Sequence, residues 1–176
     1  MGGMVRRPQS ITGDLSVTVQ RLRGRRALAP VLVALSFTVL TGACAGRTVP
    51  PSSAPSADVG AASRVLTKVN SFRAANGLAS LQAAYDATGK AQALAQSMAS
   101  SQQAFHSSSY SSGITSGWTT LAENVAVAPS AGQGLQLMEA SSEHRANLLG
   151  GYNQIGIGVA YGTDGRAYLA IELVAR

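Results

Sequence analysis

Apolar residues in the second half of the chain recur at helical spacing. Val65, Val69 and Phe72 follow an i, i+4, i+7 pattern, which predicts an amphipathic helix over residues 62–75 that ends at Asn76. A second helix is predicted to start at Asp86 as its N-cap. The apolar face of this second helix is formed by Ala91, Leu94, Ala95 and Met98.

Polar residues mark where the remaining helices and loops fall. Residues 107–117 are rich in serine and glycine, which predicts a loop. Ser130 is the predicted cap of a third helix. A short helical segment is predicted to begin near His144 and to end at Gly150.

Three segments alternate between apolar and small or polar residues, as strands do. They are residues 121–127, 154–162 and 166–175, and turn residues between the last two predict a hairpin. Gly156 and Gly158 share one face of their strand, which leaves room for a helix to approach closely. Helices before and between antiparallel strands predict an α+β layered domain.

Charge divides the chain into two unequal parts. The net charge of the whole chain is +6, but residues 1–43 alone contribute +5 through six arginines and one aspartate. Residues 45–176 carry a net charge of only +1. The C-terminal domain therefore lacks the excess of positive charge that nucleic-acid binding needs, and we expect no nucleic-acid partner.

Residues 1–43 have the features of a leader. A basic stretch at 21–26 precedes an apolar run of 14 residues at 27–40, and small residues follow up to Cys44. This order is typical of a secretory signal. Cys44 is the only cysteine and resembles the cysteine of a lipobox, so we predict its lipidation; ordinary signal cleavage near a free Cys44 is the alternative.

The predicted organisation has three parts. Residues 1–43 form the leader, residues 44–61 the lipidated cysteine and a Pro/Ser-rich tether, and residues 62–176 one domain. Residues 1–18 precede the basic stretch and fit no leader role. Either translation starts after them, or they form a genuine N-terminal extension.

Glu123 is the one charged residue of the predicted strand 121–127. A carboxylate on an inward face must be paired or hydrogen-bonded, and the chain offers two histidines, His106 and His144, as partners. Two histidines and a glutamate can also hold zinc when water completes the site. The alternatives are a surface loop for His106, a loop-locking role for His144 and a purely structural carboxylate.

Three short motifs occur in a fixed order. They are Phe-His-Ser at 105–107, Ala-Glu-Asn at 122–124 and His-Arg-Ala-Asn at 144–147. Their order and spacing resemble the bacterial CAP superfamily, also called SCP/TAPS, in its secreted lipoprotein form. The resemblance covers about residues 62–175.

The resemblance implies the α-β-α sandwich of that family, with an antiparallel sheet between helices. It also implies a cleft in which His106 and His144 match two histidines that bind a divalent metal in relatives, with Glu123 as the first acidic partner. The second acidic residue of eukaryotic relatives has no clear match. Glu139 and Glu143 are the nearest candidates in sequence.

The expected function is a module anchored to the outer face of the cytoplasmic membrane or to the cell envelope. Relatives bind sterols and fatty acids such as palmitate, so we expect non-enzymatic binding of a lipid-like or other small ligand, or of a partner. One alternative is a metal-assisted hydrolase with His106, Glu123 and His144 as catalytic residues. Another is a structural envelope protein with a vestigial cleft. A weakly bound zinc is the one cofactor that the pattern suggests, and the pattern specifies no oligomeric state.

Replacing Cys44 tests the anchor. The mature protein should begin at lipidated Cys44, so Cys44→Ala should be released from membranes or accumulate unprocessed in fractionation and intact-mass measurements. Ala45→Ser, one position later, is the control and should stay anchored. Membrane retention and normal processing of Cys44→Ala would show that this cysteine is not the anchor.

Overall fold

The computed structural model describes residues 4–5 and 56–176. The elements are, in chain order, β1 (Met4–Val5), α1 (Val59–Ala75), β2 (Gln82–Ala83), α2 (Tyr85–Ser101), β3 (Thr120–Ala128), α3 (Ala131–Ala140), α4 (Ser142–Leu148), β4 (Gln154–Tyr161) and β5 (Ala167–Ala175). The predicted signal, Cys44 and the tether up to residue 55 lie outside the described residues. Within the described part, no helix is long and apolar enough to cross a bilayer.

The strands form one mixed sheet in the order β1-β3-β5-β4-β2. The three long strands β3, β5 and β4 are antiparallel, as predicted. The two outer strands have two residues each and pair in parallel, β1 with β3 and β2 with β4. The predicted antiparallel sheet is therefore confirmed for the three long strands, and parallel pairing is confined to the two short edge strands. Cleavage at Cys44, if it occurs as predicted, removes β1 and leaves four strands.

Helices cover both faces of this sheet, which confirms the predicted α-β-α sandwich. Helices α1, α3 and α4 pack on one face, and α2 packs on the other, against β4 and β5. Ile155, Ile157 and Val159 of β4 belong to the core on the α1 face. Because side chains alternate along a strand, Gly156 and Gly158 face α2.

The two glycines allow α2 to lie directly on the sheet. A Cβ atom on Gly156 would lie 2.0 Å from the carbonyl carbon of Ala87, and one on Gly158 would lie 2.2 Å from the carbonyl oxygen of Ala91. Any side chain at these positions would displace the helix backbone. The close contact brings Lys90, which lies between these two alanines on α2, to within hydrogen-bonding distance of the Glu172 side chain on β5.

Helix α1 starts three residues before the predicted position because Asp58 caps it. Asp58 Oδ1 accepts a hydrogen bond from Ala61 N at 2.8 Å. The Asp58 backbone N–H also donates to Val159 O at 3.0 Å. The end of the predicted tether is thus part of the fold.

Asp86 is not the cap of α2, contrary to prediction. The cap position is Ala84, and Asp86 lies in the first turn of the helix. Its carboxylate instead accepts a hydrogen bond from Thr115 N at 2.8 Å and pairs with Arg176. Burial alone would raise the pKa of Asp86, but the hydrogen bonds from Thr115 and Arg176 lower it well below its usual range. Asp86 thereby ties the loop at 107–117 to α2.

Helix α3 begins as predicted, with Ser130 Oγ accepting a hydrogen bond from Gln133 N at 3.3 Å. The predicted short helix around His144 is α4. Arg73, buried at the end of α1, fixes the end of α4. Its guanidinium donates to Leu148 O at 2.8 Å and to Gly150 O at 3.0 Å. Within the described residues Arg73 has no carboxylate partner, and carbonyl oxygens at a helix C-terminus, where the helix dipole is negative, satisfy this buried cation.

Gly158→Ala tests the close contact of α2 with the sheet. The added Cβ meets backbone atoms that cannot rotate away, so the free energy of unfolding should fall by about 1–3 kcal/mol in urea denaturation. Gly132→Ala on α3 is the control, since a Cβ there has only Lys68 Nζ at 4.0 Å. It should leave stability unchanged or raise it by up to about 1 kcal/mol. Equal changes in the free energy of unfolding for Gly158→Ala and Gly132→Ala would contradict the close packing of α2 on the sheet.

Candidate functional site

Glu123 on β3 is the centre of a buried polar cluster and is 0% exposed. His106 Nδ1 lies 2.8 Å from Glu123 Oε1, and Ser107 N donates to the same oxygen at 2.9 Å. The hydroxyl of Ser107 donates to Oε2. The predicted contact between His106 and Glu123 is therefore present, and Ser107 is an additional partner.

These hydrogen bonds keep Glu123 ionised. Burial alone would raise its pKa, but hydrogen bonds from His106, Glu172 and Ser107 outweigh burial and lower the pKa to about 2. An ionised carboxylate only accepts hydrogen bonds, so Nδ1 of His106 carries the hydrogen. Nε2 is therefore the nitrogen of His106 that has a lone pair whenever the ring is neutral.

Glu172 on β5 is the second acidic residue of the cluster. The strand register places it directly opposite Glu123, and it is 2% exposed. Lys90 Nζ donates to Glu172 Oε2 at 2.9 Å and lies 3.6 Å from Glu123 Oε2. It also donates to Tyr110 O at 2.9 Å.

Glu172 holds a proton at neutral pH. Burial and then the negative charge of Glu123 raise the pKa of Glu172 to about 8, although Lys90 opposes this shift. With Glu172 protonated and Glu123 ionised, the two facing carboxyl groups share one proton and one negative charge. Lys90 balances that charge, and the three side chains together are neutral.

The sequence carries a signal for Glu172 as the second acidic residue. Glu172 is a lone charge within the apolar run of residues 167–175, just as Glu123 is within 121–127. Glu139 and Glu143, the candidates nearest in sequence, form no hydrogen bond or ion pair with Glu123 in the described part of the chain. The negative charge of Glu143 acts on His144 instead.

Asn124, the neighbour of Glu123, holds the second histidine segment. Its Nδ2 donates to the backbone oxygen of His144 at 3.0 Å, and its Oδ1 accepts from Asn147 Nδ2 at 2.8 Å. Neighbouring residues of a strand point to opposite faces. The Ala-Glu-Asn motif therefore fixes the His106 segment on one face of β3 and α4 on the other.

The two imidazoles each present a buried nitrogen. Nε2 of His106 and Nε2 of His144 are both buried, and neither has a hydrogen-bond partner among the described residues. Burial, followed by the electrostatic effect of His106, lowers the pKa of His144. His144 is thus neutral at neutral pH, with a ring nitrogen available as a ligand or acceptor.

This donor set fits a catalytic metal site only in part. Neutral imidazole nitrogens are good zinc ligands, but catalytic zinc needs three protein ligands. Among residues 4–5 and 56–176, no three His, Cys, Asp or Glu side chains are arranged to hold a metal ion. Weak zinc binding by His106 and His144 stays a prediction.

A groove of about 790 Å³ lies between α2 and the loop at 107–117. Lys90 and Ser107 line it and also belong to the Glu123 cluster. The loop has no regular structure except turns, as predicted, and Ile114 anchors it in the core against Trp118. The groove is lined by Tyr85, Asp86, Gly89, Lys90, Ala93, Leu94, Ser97, Ser107, Ser108, Ser109, Ser112, Gly113 and Thr115.

Glu172→Gln tests the shared proton. Unfolded Glu172 ionises near its usual pKa of 4.5, whereas folded Glu172 keeps its proton up to about pH 8. Between pH 4.5 and 8 the wild type must therefore take up a proton when it folds. Because of this uptake, its free energy of unfolding falls by at most about 1.4 kcal/mol for each unit by which the pH rises. Glutamine needs no proton, so the variant should gain stability relative to the wild type as pH rises through this window.

Urea denaturation at several pH values measures this difference. Glu139→Gln makes the same substitution on α3 and serves as the control. The difference in free energy of unfolding between Glu172→Gln and the wild type should change from pH 4.5 to 8. If this difference stays constant over that range, or matches the difference measured for Glu139→Gln, it would contradict the shared proton.

Known proteins share this fold. An outer surface protein from Borrelia burgdorferi superposes with a TM-score of 0.63 at 12% identity, covering 69% of this chain and 98% of its own. An extracellular protein with an SCP domain from Bacillus anthracis str. Ames gives a TM-score of 0.57 at 19% identity, covering 66% of this chain and 41% of its own. A cysteine-rich secretory protein from Staphylococcus aureus subsp. aureus Mu50 gives 0.53 at 19% identity, covering 66% and 39%. The matching region thus spans about two fifths of the last two proteins.

No curated protein sequence matches this chain significantly. The family model for CAP, the cysteine-rich secretory protein family, matches residues 66–173. That region contains all three motifs and both residues of the carboxyl pair. Because it is more than half of the chain, the protein belongs to the CAP family, although its sequence holds a single cysteine.

Proposed function

We propose that this CAP domain is an exported, anchored module that binds a small ligand in the groove between α2 and residues 107–117, without catalysing a reaction. The observation that carries the proposal is the saturation of Glu123. Both of its oxygens accept hydrogen bonds from the protein, and the side chain is fully buried. A general base must reach the proton that it abstracts, and Glu123 is instead placed to hold the wall of the groove.

The groove has the dimensions of a ligand site. Its volume of about 790 Å³ lies within the range of about 300–1,000 Å³ that is usual for small-molecule sites. A second, apolar cavity between α1, α2 and the sheet has about 190 Å³, which is below that range. Val59, Leu66, Ile155 and Ile157 are among its lining residues. Of these two cavities, the larger groove is the better candidate.

The leader and Cys44 support the proposal of export and anchoring. The basic stretch, the apolar run and the cysteine are typical of an exported lipoprotein. The likeness to proteins described as outer surface and extracellular agrees with this location. A module held outside the membrane by a tether meets ligands of the envelope or the medium.

One observation favours the alternative of a metal-assisted hydrolase. The carboxylate of Glu123 orients His106 so that Nε2 is the free nitrogen, which is the arrangement of metal-ligating and catalytic histidines. His144 offers a second buried Nε2. A protein that uses this pair should retain zinc through purification.

Native mass spectrometry of the full chain, purified from its membrane in detergent, separates these functions. The wild type should retain a small molecule, and Gly89→Gln, which fills the groove, should lose it. Gly132→Gln on α3 is the matched control and should retain it. Equal retention in Gly89→Gln would contradict binding in this groove. Retained zinc that is lost in both His106→Gln and His144→Gln would favour the hydrolase.

A further inference from the structure

The lining of the groove indicates a chemical class of ligand, and we propose that the groove takes a neutral saccharide. This inference rests on the proposed function, because it concerns the ligand of the same groove. It depends on four observations, which concern the hydroxyl groups, the charges, an exposed tyrosine and a helical glycine.

Hydroxyl groups dominate the polar lining of the groove. The hydroxyl residues are Ser97, Ser107, Ser108, Ser109, Ser112 and Thr115. Three of these, Ser108, Ser109 and Ser112, are exposed, and their hydroxyls donate to no group in the described part of the chain. A hydroxyl both donates and accepts hydrogen bonds. It therefore matches the hydroxyls of a sugar, which need both kinds of partner.

The charged residues of the groove already have partners within the protein. Asp86 pairs with Arg176, and Lys90 bonds to Glu172 and to Tyr110 O. A charged ligand would have to compete with these internal pairs. A neutral ligand has no such cost, so the charge distribution favours an uncharged molecule.

Tyr85, the first residue of α2, lies on the rim of the groove and is 97% exposed. Its ring is therefore available to a ligand over almost its whole surface. A tyrosine offers a rigid, amphipathic contact surface at low entropic cost. The apolar face of a sugar ring, which carries C–H groups, packs well on such a ring.

Gly89 has no packing role among the described residues. Glycine inside a helix is less favourable than alanine, yet a Cβ at Gly89 would have no atom within 4 Å. The position lies one turn after Tyr85 on the surface that lines the groove. The absence of a side chain there leaves space beside the tyrosine ring, in which a sugar ring fits.

An acyl chain suits this lining less well. It would cover the hydroxyls of Ser108, Ser109 and Ser112 and remove their contact with water without offering a hydrogen bond in return. A saccharide replaces those water contacts with its own hydroxyls. By the same argument, the lining of the smaller apolar cavity suits a lipid better than the lining of this groove does.

Calorimetric titration of the full chain tests the inference with three defined probes. They are the neutral tetrasaccharides of glucose and of N-acetylglucosamine, and palmitate as the acyl probe. At least one tetrasaccharide should bind, and Tyr85→Ala and Gly89→Gln should each weaken it by at least about tenfold. Tyr161→Ala and Gly132→Gln are matched controls outside the groove and should bind as the wild type does. Tyr85 makes so few contacts that its replacement cannot unfold the domain.

Three results would overturn the proposal that the groove binds a neutral saccharide. Tetrasaccharide binding that is the same in Tyr85→Ala and Gly89→Gln as in the wild type places the sugar elsewhere. If palmitate is the only probe that binds, and Gly89→Gln abolishes its binding, the saccharide proposal is overturned but the proposed function of the groove is not. No binding of any probe, together with no retained molecule in native mass spectra, overturns both.

Discussion

The buried charge of Glu123 is the constraint around which this domain is arranged. A carboxylate that is removed from water must be compensated by hydrogen bonds and by opposite charge. The compensation comes from three distant parts of the chain, which are the segment at His106 and Ser107, Lys90 on α2 and Glu172 on β5. Satisfying one carboxylate therefore fixes a loop, a helix and a neighbouring strand relative to β3.

The alternation of β3 extends this constraint to the other face of the sheet. Asn124 follows Glu123 and binds the backbone of His144 and the side chain of Asn147. Arg73 holds the far end of α4 through Leu148 O. The two histidine segments thus depend on adjacent residues of one strand, which explains why a short motif sits at the centre of the site.

Local pattern predicted most elements, and long-range contacts account for what it missed. The glycines of β4 and the cap at Ser130 are local features, and both predictions are confirmed. The partner of Asp86 is 29 residues away, and it takes the carboxylate that local spacing assigned to a helix cap. The pairing of Glu123 with Glu172 depends on strand register, which no pattern within either strand specifies.

The same register limits what the cluster can do for a ligand. Lys90 has three donor hydrogens, and its ammonium already contacts Glu172, Glu123 and the backbone oxygen of Tyr110. The ammonium has no capacity left for recognition, and Glu123 has none either. The cluster therefore acts on the groove indirectly, because the bond to Tyr110 fixes the loop that forms one wall. Recognition then falls to the groups at the rim, where Tyr85 is exposed and the exposed serine hydroxyls donate to no group in the described part of the chain.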